Sequence, residues 1–206
     1  MDIVVLTELL HDKGWQSSAR DNKHYLLKAI DKPRSASFIV PACASELIPP
    51  GTLNAILQLA YARKETHTWA SFVKNTKNIA VILEKQSDRL WGRIELPGLL
   101  LVTQGCTEDC ISNVLRSLLI DFLIDEAFPY SAEVSSLPFL PLYDTTAVWN
   151  LIKQLKAAHI AEEIGVDMEL VGQFMTGTTY PCPEVASRLE KSIQDLGRQL
   201  MEISIR

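Results

Sequence analysis

Leu96-Pro97-Gly98-Leu99-Leu100-Leu101-Val102-Thr103-Gln104-Gly105-Cys106-Thr107-Glu108-Asp109-Cys110 is the stretch on which the fold turns. Pro97-Gly98 is turn chemistry, and the apolar run from Leu99 to Thr103 that follows it has the length and bounds of a strand. Gly105 ends that strand. Thr107 then stands where a helix N-cap belongs, with Glu108 and Asp109 in the first turn, where carboxylates suit the positive end of the dipole. The apolar positions Ile111, Val114, Leu115, Leu118, Leu119 and Phe122 continue at helical spacing for about four turns.

Upstream, Ile79–Leu83 and Leu90–Leu96 are two further apolar runs, with Ser87-Asp88-Arg89 as the turn between them. Three strands and a helix are therefore expected from about residue 77 to 123. Further upstream, Leu6, Leu9 and Leu10 fall at helical spacing before Gly14, with a strand over Ile3–Leu6 as the competing reading. His24–Ile30 and Ala36–Pro41 are β-leaning runs around a turn at 31–35. Pro49-Pro50-Gly51-Thr52 precedes Leu53, Ile56, Leu57 and Ala60, which predicts a helix with Thr52 as N-cap. Residues 61–76 read as a connector, although Trp69 and Phe72 argue that it packs on a neighbour.

Downstream, residues 127–144 hold three prolines and three serines, a boundary signal, yet also Phe128, Tyr130, Phe139, Leu140 and Leu142, so part of them should be docked. The remainder is helical: Thr145–Leu155, Ala157–Ile164 up to Gly165, a helix capped by Asp167 and ending at Gly177, and a long helix opened by Pro181-Cys182-Pro183. In the last, Leu189, Ile193, Leu196, Leu200 and Ile203 form a narrow stripe, suited either to packing within its own module or to pairing with a second chain.

The composition, 47% hydrophobic and 22% charged, is that of a folded chain and excludes disorder throughout. The net charge of −5, with no strongly basic segment, gives no broad attraction to nucleic acid. The first residues lack a basic signal-peptide region, and the longest apolar stretch, Leu118–Ile124, is interrupted by Asp121, so a cytoplasmic protein with no membrane partner is expected. Cys43, Cys106, Cys110 and Cys182 lack the spacing of a zinc site and read as ordinary buried or half-buried thiols. Asp121 and Asp125, four apart, read as a solvated helix face. Neither a metal nor a cofactor is expected.

Three resemblances cover most of the chain. Residues 5–62 resemble a HicA-type toxin in Leu9-Leu10, Gly14-Trp15, His24, the run Ile48-Pro49-Pro50-Gly51-Thr52-Leu53, and Ile56-Leu57. Residues 77–123 resemble a HicB-type antitoxin in Ile79–Glu84, Trp91-Gly92, Leu96-Pro97-Gly98 and Gly105-x-Thr107. Residues 144–206 resemble the helix-turn-helix tail of some such antitoxins in Ile160-Ala161, Gly165-Val166, Leu170, Gly177, Tyr180-Pro181, Ala186, Leu189-Glu190, Ile193 and Leu196-Gly197. The resemblance implies an α+β protein: a double-stranded-RNA-binding-like toxin unit over 1–65, a partial RNase-H-like sheet with a helix over 66–130, a partly docked linker over 131–144 and an all-α tail over 145–206.

The HicA family is a small mRNA-cleaving ribonuclease whose motif is Gly-Ser-His. Here the corresponding stretch is Asn22-Lys23-His24, so only the histidine is kept. His24 is the candidate catalytic proton carrier, since an imidazole titrates near neutrality. Arg20 and Lys23 are candidate RNA-binding residues. In the tail, Gln173, Thr176, Thr178 and Thr179 are candidate DNA-binding residues on and after the recognition helix. That helix has no Lys or Arg, and the phosphate term of DNA affinity is depleted with it. The expected whole is a self-neutralised toxin–antitoxin fusion with a regulatory role. Its toxin face is covered within the chain or by exchange with a second copy, the chain forms a homo-oligomer, and operator DNA and RNA are candidate partners. An active ribonuclease using His24, and an oligomeric interaction protein with both sites decayed, are the alternatives.

Overall fold

The computed structural model describes residues 1–29, 36–42, 47–61, 68–86, 89–146 and 157–202. Its elements are α1 (Ile3–His11), β1 (Trp15–Ala19), β2 (His24–Ala29), β3 (Ser37–Pro41), α2 (Pro50–Tyr61), α3 (Trp69–Asn75), β4 (Ile79–Gln86), β5 (Arg89–Leu96), β6 (Leu99–Gly105), α4 (Glu108–Asp125), α5 (Ser131–Ser136), β7 (Phe139–Tyr143), α6 (Ala157–Ile164), α7 (Met168–Thr176) and α8 (Pro183–Glu202). The fold class is α+β, with eight helices among the described residues and one seven-stranded mixed sheet. The chain divides into two units, Met1–Leu140 and Pro141–Arg206.

In the first unit the strand order is β1-β2-β3-β6-β5-β4-β7, and the division between the units falls inside β7. The joint that matters is β3 against β6. It is parallel, pairing Ser37 with Leu99, Phe38 with Leu100 and Ile39 with Leu101. The Ser37 amide also donates to the Gly98 carbonyl at 2.8 Å. Every residue of β3 is buried, as a strand covered on both faces should be. Residues 1–65 and 66–130 thus contribute to one continuous sheet.

Each face of that sheet has its own cover. On one lie α1 and α2 over a core of Ile3, Leu6, Leu10, Trp15, Phe38, Ile56, Trp91 and Val102. Trp15 and Phe38 stack at 4.3 Å between centroids. On the other lies α4, which buries Ile111, Leu115, Leu118, Leu119, Phe122 and Leu123. Gly92 makes that approach possible: a Cβ there would stand 2.1 Å from Cγ2 of Ile111.

Several expectations need correction. Residues 3–11 are helix, capped by the Asp2 carboxylate, so the strand reading fails. Strand β1 was not expected, because four of its five residues are exposed and no alternation marks it. Thr52 is not the N-cap: α2 starts at Pro50, whose fixed φ and missing amide suit the first helical position. The connector and boundary segments contain α3, α5 and β7. Trp69 of α3 packs edge-on against Phe128 at 4.5 Å. Helix α4 is 18 residues long, about five turns. Cys106, Cys110 and Cys182 are exposed rather than buried. The turns expected at 31–35 and over Ser87-Asp88, Cys43, and the helix after residue 146 lie outside the described residues.

In the second unit α6 ends at Gly165, which takes φ +66, and the Val166 amide returns to the Ala161 carbonyl at 3.0 Å. Ala161 is buried, so α6 and its neighbours can approach closely. Asp167 caps α7, and Gly177 ends it in the left-handed region. Leu189 of α8 is buried with Ala161, Ile164, Val171 and Phe174, and Ile193 and Leu196 pack against the same cluster. That part of the stripe serves its own unit. The side chains of Leu200 and Ile203 lie outside the described residues.

Candidate functional site

His24 opens β2 on the face that α4 covers. The alternation of side chains puts it opposite to Leu27, a member of the α1/α2 core, and puts Thr103 opposite to Val102 in the same way. The two meet: His24 Nε2 lies 3.0 Å from the Thr103 hydroxyl, and the histidine is only 4% exposed. Its Nδ1 lies 3.1 and 3.2 Å from the carboxylate oxygens of Asp21. An ionised carboxylate accepts only, so Nδ1 carries the hydrogen and, in the neutral ring, Nε2 accepts from Thr103. Both nitrogens are engaged.

The bend before β2 needs no glycine. Asp21 Oδ1 accepts the amides of Lys23 at 2.6 Å and His24 at 2.8 Å, a turn closed by its own side chain. Ala127 is the only non-glycine residue with positive φ among the described residues, so Asn22 and Lys23 sit in ordinary backbone regions. Burial pushes the Asp21 carboxyl up, but hydrogen bonds from Lys23 and His24 and the attraction of the His24 ring outweigh it and hold it below its ordinary value of 3.8.

Two cations near this ring are already matched. Arg20 pairs with Asp125 at 2.6 Å, and Lys28 with Glu126. Asp125 is the last residue of α4 and Glu126 its C-cap. The Lys23 side chain is exposed. A polar cleft of about 360 Å³ lies beside Lys28, lined by His11, Gln16, Ser17 and Ser18.

On the opposite face a second polar cluster is sealed in the core. The Glu84 carboxylate accepts the amides of Gly51 at 2.9 Å and Thr52 at 2.8 Å and the Thr52 hydroxyl at 3.1 Å, so it caps α2 from another element. Arg93 lies 3.6 Å from Glu84, donates to Thr52 Oγ1 at 3.4 Å and pairs with Glu95 at 2.8 Å. Glu84 is 4% exposed and Arg93 1%.

The four tail residues are brought together. Thr179 donates to the Gln173 side-chain oxygen at 3.3 Å, and the hydroxyls of Thr176 and Thr178 lie 2.8 Å apart. Gln173 is half-buried; Thr176 and Thr178 are exposed. The first turn of α7 carries Glu169.

Sequence reasoning missed Thr103, Asp21, Lys28, Glu126, Glu84 and Arg93. A hydroxyl at the end of Leu99–Val102 and a guanidinium inside Leu90–Leu96 were the available signals, since polar groups in buried strands need partners. Asp125 was noticed for its spacing to Asp121, but it holds Arg20. No cluster of metal-ligating side chains occurs among the described residues. No helix among them is long and apolar enough to cross a membrane. Compared with protein-family models, with curated proteins and with solved structures, the chain matches none.

Proposed function

We propose that this chain is a self-neutralised toxin–antitoxin fusion of the HicA/HicB type, cytoplasmic and regulatory, with His24 as the silenced catalytic group of a ribonuclease. The observation that carries the reading is the contact between His24 Nε2 and Thr103. A general acid or base must present a nitrogen to the scissile phosphate or the 2′-hydroxyl. In the HicA-like part that nitrogen is filled by a side chain of the HicB-like part. The Asp21 carboxylate keeps the ring oriented, as acids behind catalytic histidines do. A covalent tether holds the covering segment at high effective concentration. The HicA-like unit is then β1–β3 with α1 and α2, and the HicB-like unit β4–β6 with α4. The helix-turn-helix of the tail serves association into oligomers more than operator binding, because its recognition helix carries no cation.

The test is a chain ending at residue 65, expressed with and without His24→Ala beside the full-length protein. RNA cleavage and toxicity by the short chain alone, abolished by His24→Ala, support the reading. A short chain that is folded by circular dichroism yet cleaves no RNA overturns it and leaves an interaction protein with decayed sites.

A further inference from the structure

We infer that the C-terminal turn of α4 is a displaceable phosphate mimic, whose two carboxylates hold the cations that an RNA backbone would otherwise take. The inference rests on reading the His24 face as an RNA surface and adds how that face is gated. Three observations carry it. First, Asp125 and Glu126 stand at the negative end of the α4 dipole, where carboxylates are disfavoured, and α4 has no basic residue in its last turn to offset them. Their counter-charges come from elsewhere, Arg20 and Lys28, on the same face of the sheet as His24. Second, the pairs are not sealed. The Asp125 side chain is 57% exposed, and those of Lys28 and Glu126 are 41% and 39% exposed, so solvent, salt and a competing polyanion reach these three directly, and they reach Arg20, 13% exposed, where Asp125 covers it. Third, Lys28 borders the cleft lined by His11, Gln16, Ser17 and Ser18. Hydroxyls, an amide, an imidazole and an ammonium in one groove suit the sugar–phosphate backbone of a single strand, which offers acceptors and 2′-hydroxyls.

This turn ends at Ala127, with φ 47, a left-handed conformation unusual for a residue with a Cβ. Phe128 next to it is anchored on Trp69. The turn is therefore held by buried Phe122 and Leu123 before it and by Phe128 after it, and what can leave the cations is the pair of carboxylate side chains. Displacing those carboxylates exchanges them for two phosphates at Arg20 and Lys28.

The experiment measures binding of a short 2′-O-methyl oligouridine, which cannot be cleaved through its 2′-oxygen, to the full chain by fluorescence anisotropy across a salt series. The forms are wild type, Asp125→Asn/Glu126→Gln, each single variant, and the double variant with Arg20→Gln/Lys28→Gln added. The double variant is expected to bind about tenfold more tightly than wild type at low salt, with a slope of log K on log salt steeper by about 1.4, the release from two single-strand phosphates. The single variants are expected to fall between, and removal of the two cations to abolish the gain. No tightening in either single variant or the double variant, or a gain that survives loss of Arg20 and Lys28, overturns the proposal. Because the probe reports binding alone, cleavage that fails in the residue 1–65 chain while this gain appears sinks the nuclease reading and spares the gate. The converse result sinks the gate only.

Discussion

The two faces of the sheet join the same two stretches of chain by opposite means. Under α2, Glu84, Thr52 and Arg93 form a cluster that is almost wholly buried. Under α4, His24 and Thr103 are buried, but the ion pairs beside them, Arg20 with Asp125 and Lys28 with Glu126, reach solvent. A buried charge that loses its partner cannot recover water, so breaking the first cluster is costly. An exposed pair such as Lys28 with Glu126 trades its partner for water or another ion at little cost, and the exposed Asp125 carboxylate does the same on its side of the Arg20 pair. One interface thus carries a sealed weld on one side of the sheet and solvent-reached ion pairs on the other.

That contrast can be broken by experiment. The largest effect should come from Glu84→Ala, which strips Arg93 of an interior carboxylate and α2 of its cap. A loss of about 3–5 kcal/mol in denaturant unfolding is expected. A loss near the surface-pair value would mean that the cluster is no weld. Gly92→Ala should follow, at roughly 1–3 kcal/mol, because a methyl group cannot fit beside Ile111 without moving α4. Asp125→Asn should change stability by about 0–1 kcal/mol, and less in high salt. An effect as large as that of Glu84→Ala would erase the difference between the faces.

The smallest effect sharpens the picture at His24. Asp21 titrates below its ordinary value in the folded chain, so it adds stability above about pH 4. That contribution disappears as pH falls through its lowered folded value. Asp21→Asn should therefore unfold more readily than wild type at neutral pH, and the gap between their unfolding midpoints should close in acid. A gap that widens below pH 4 would reverse the sign and remove the clasp on Nδ1 from the account.

Much of the fold was legible because it is local. The apolar runs of β4, β5 and β6, the Thr107 cap of α4, and the glycines ending α1, α6 and α7 are all set by neighbours in sequence. Strand β1 was not legible, since an edge strand exposed on four of five positions has no pattern to read. Nor was the cap of α2, because the capping carboxylate lies 32 residues away in Glu84. At the site, His24 and Arg20 were found from residue type and resemblance. Their partners Thr103 and Asp125 were invisible, because a hydroxyl or a carboxylate announces nothing about which distant ring or guanidinium it will meet.

The amino-acid order alone determined most of the helices and the strands β2 to β6, the Thr107 and Asp167 caps, and the presence of an imidazole at position 24, because helix periodicity, turn residues and side-chain chemistry are properties of short stretches. Only the tertiary structure decided that β3 lies parallel to β6. That pairing joins strands far apart in sequence, and its register is chosen by the burial of both faces at once. From it follow the contact of His24 with Thr103 and the pairing of Arg20 and Lys28 with the end of α4.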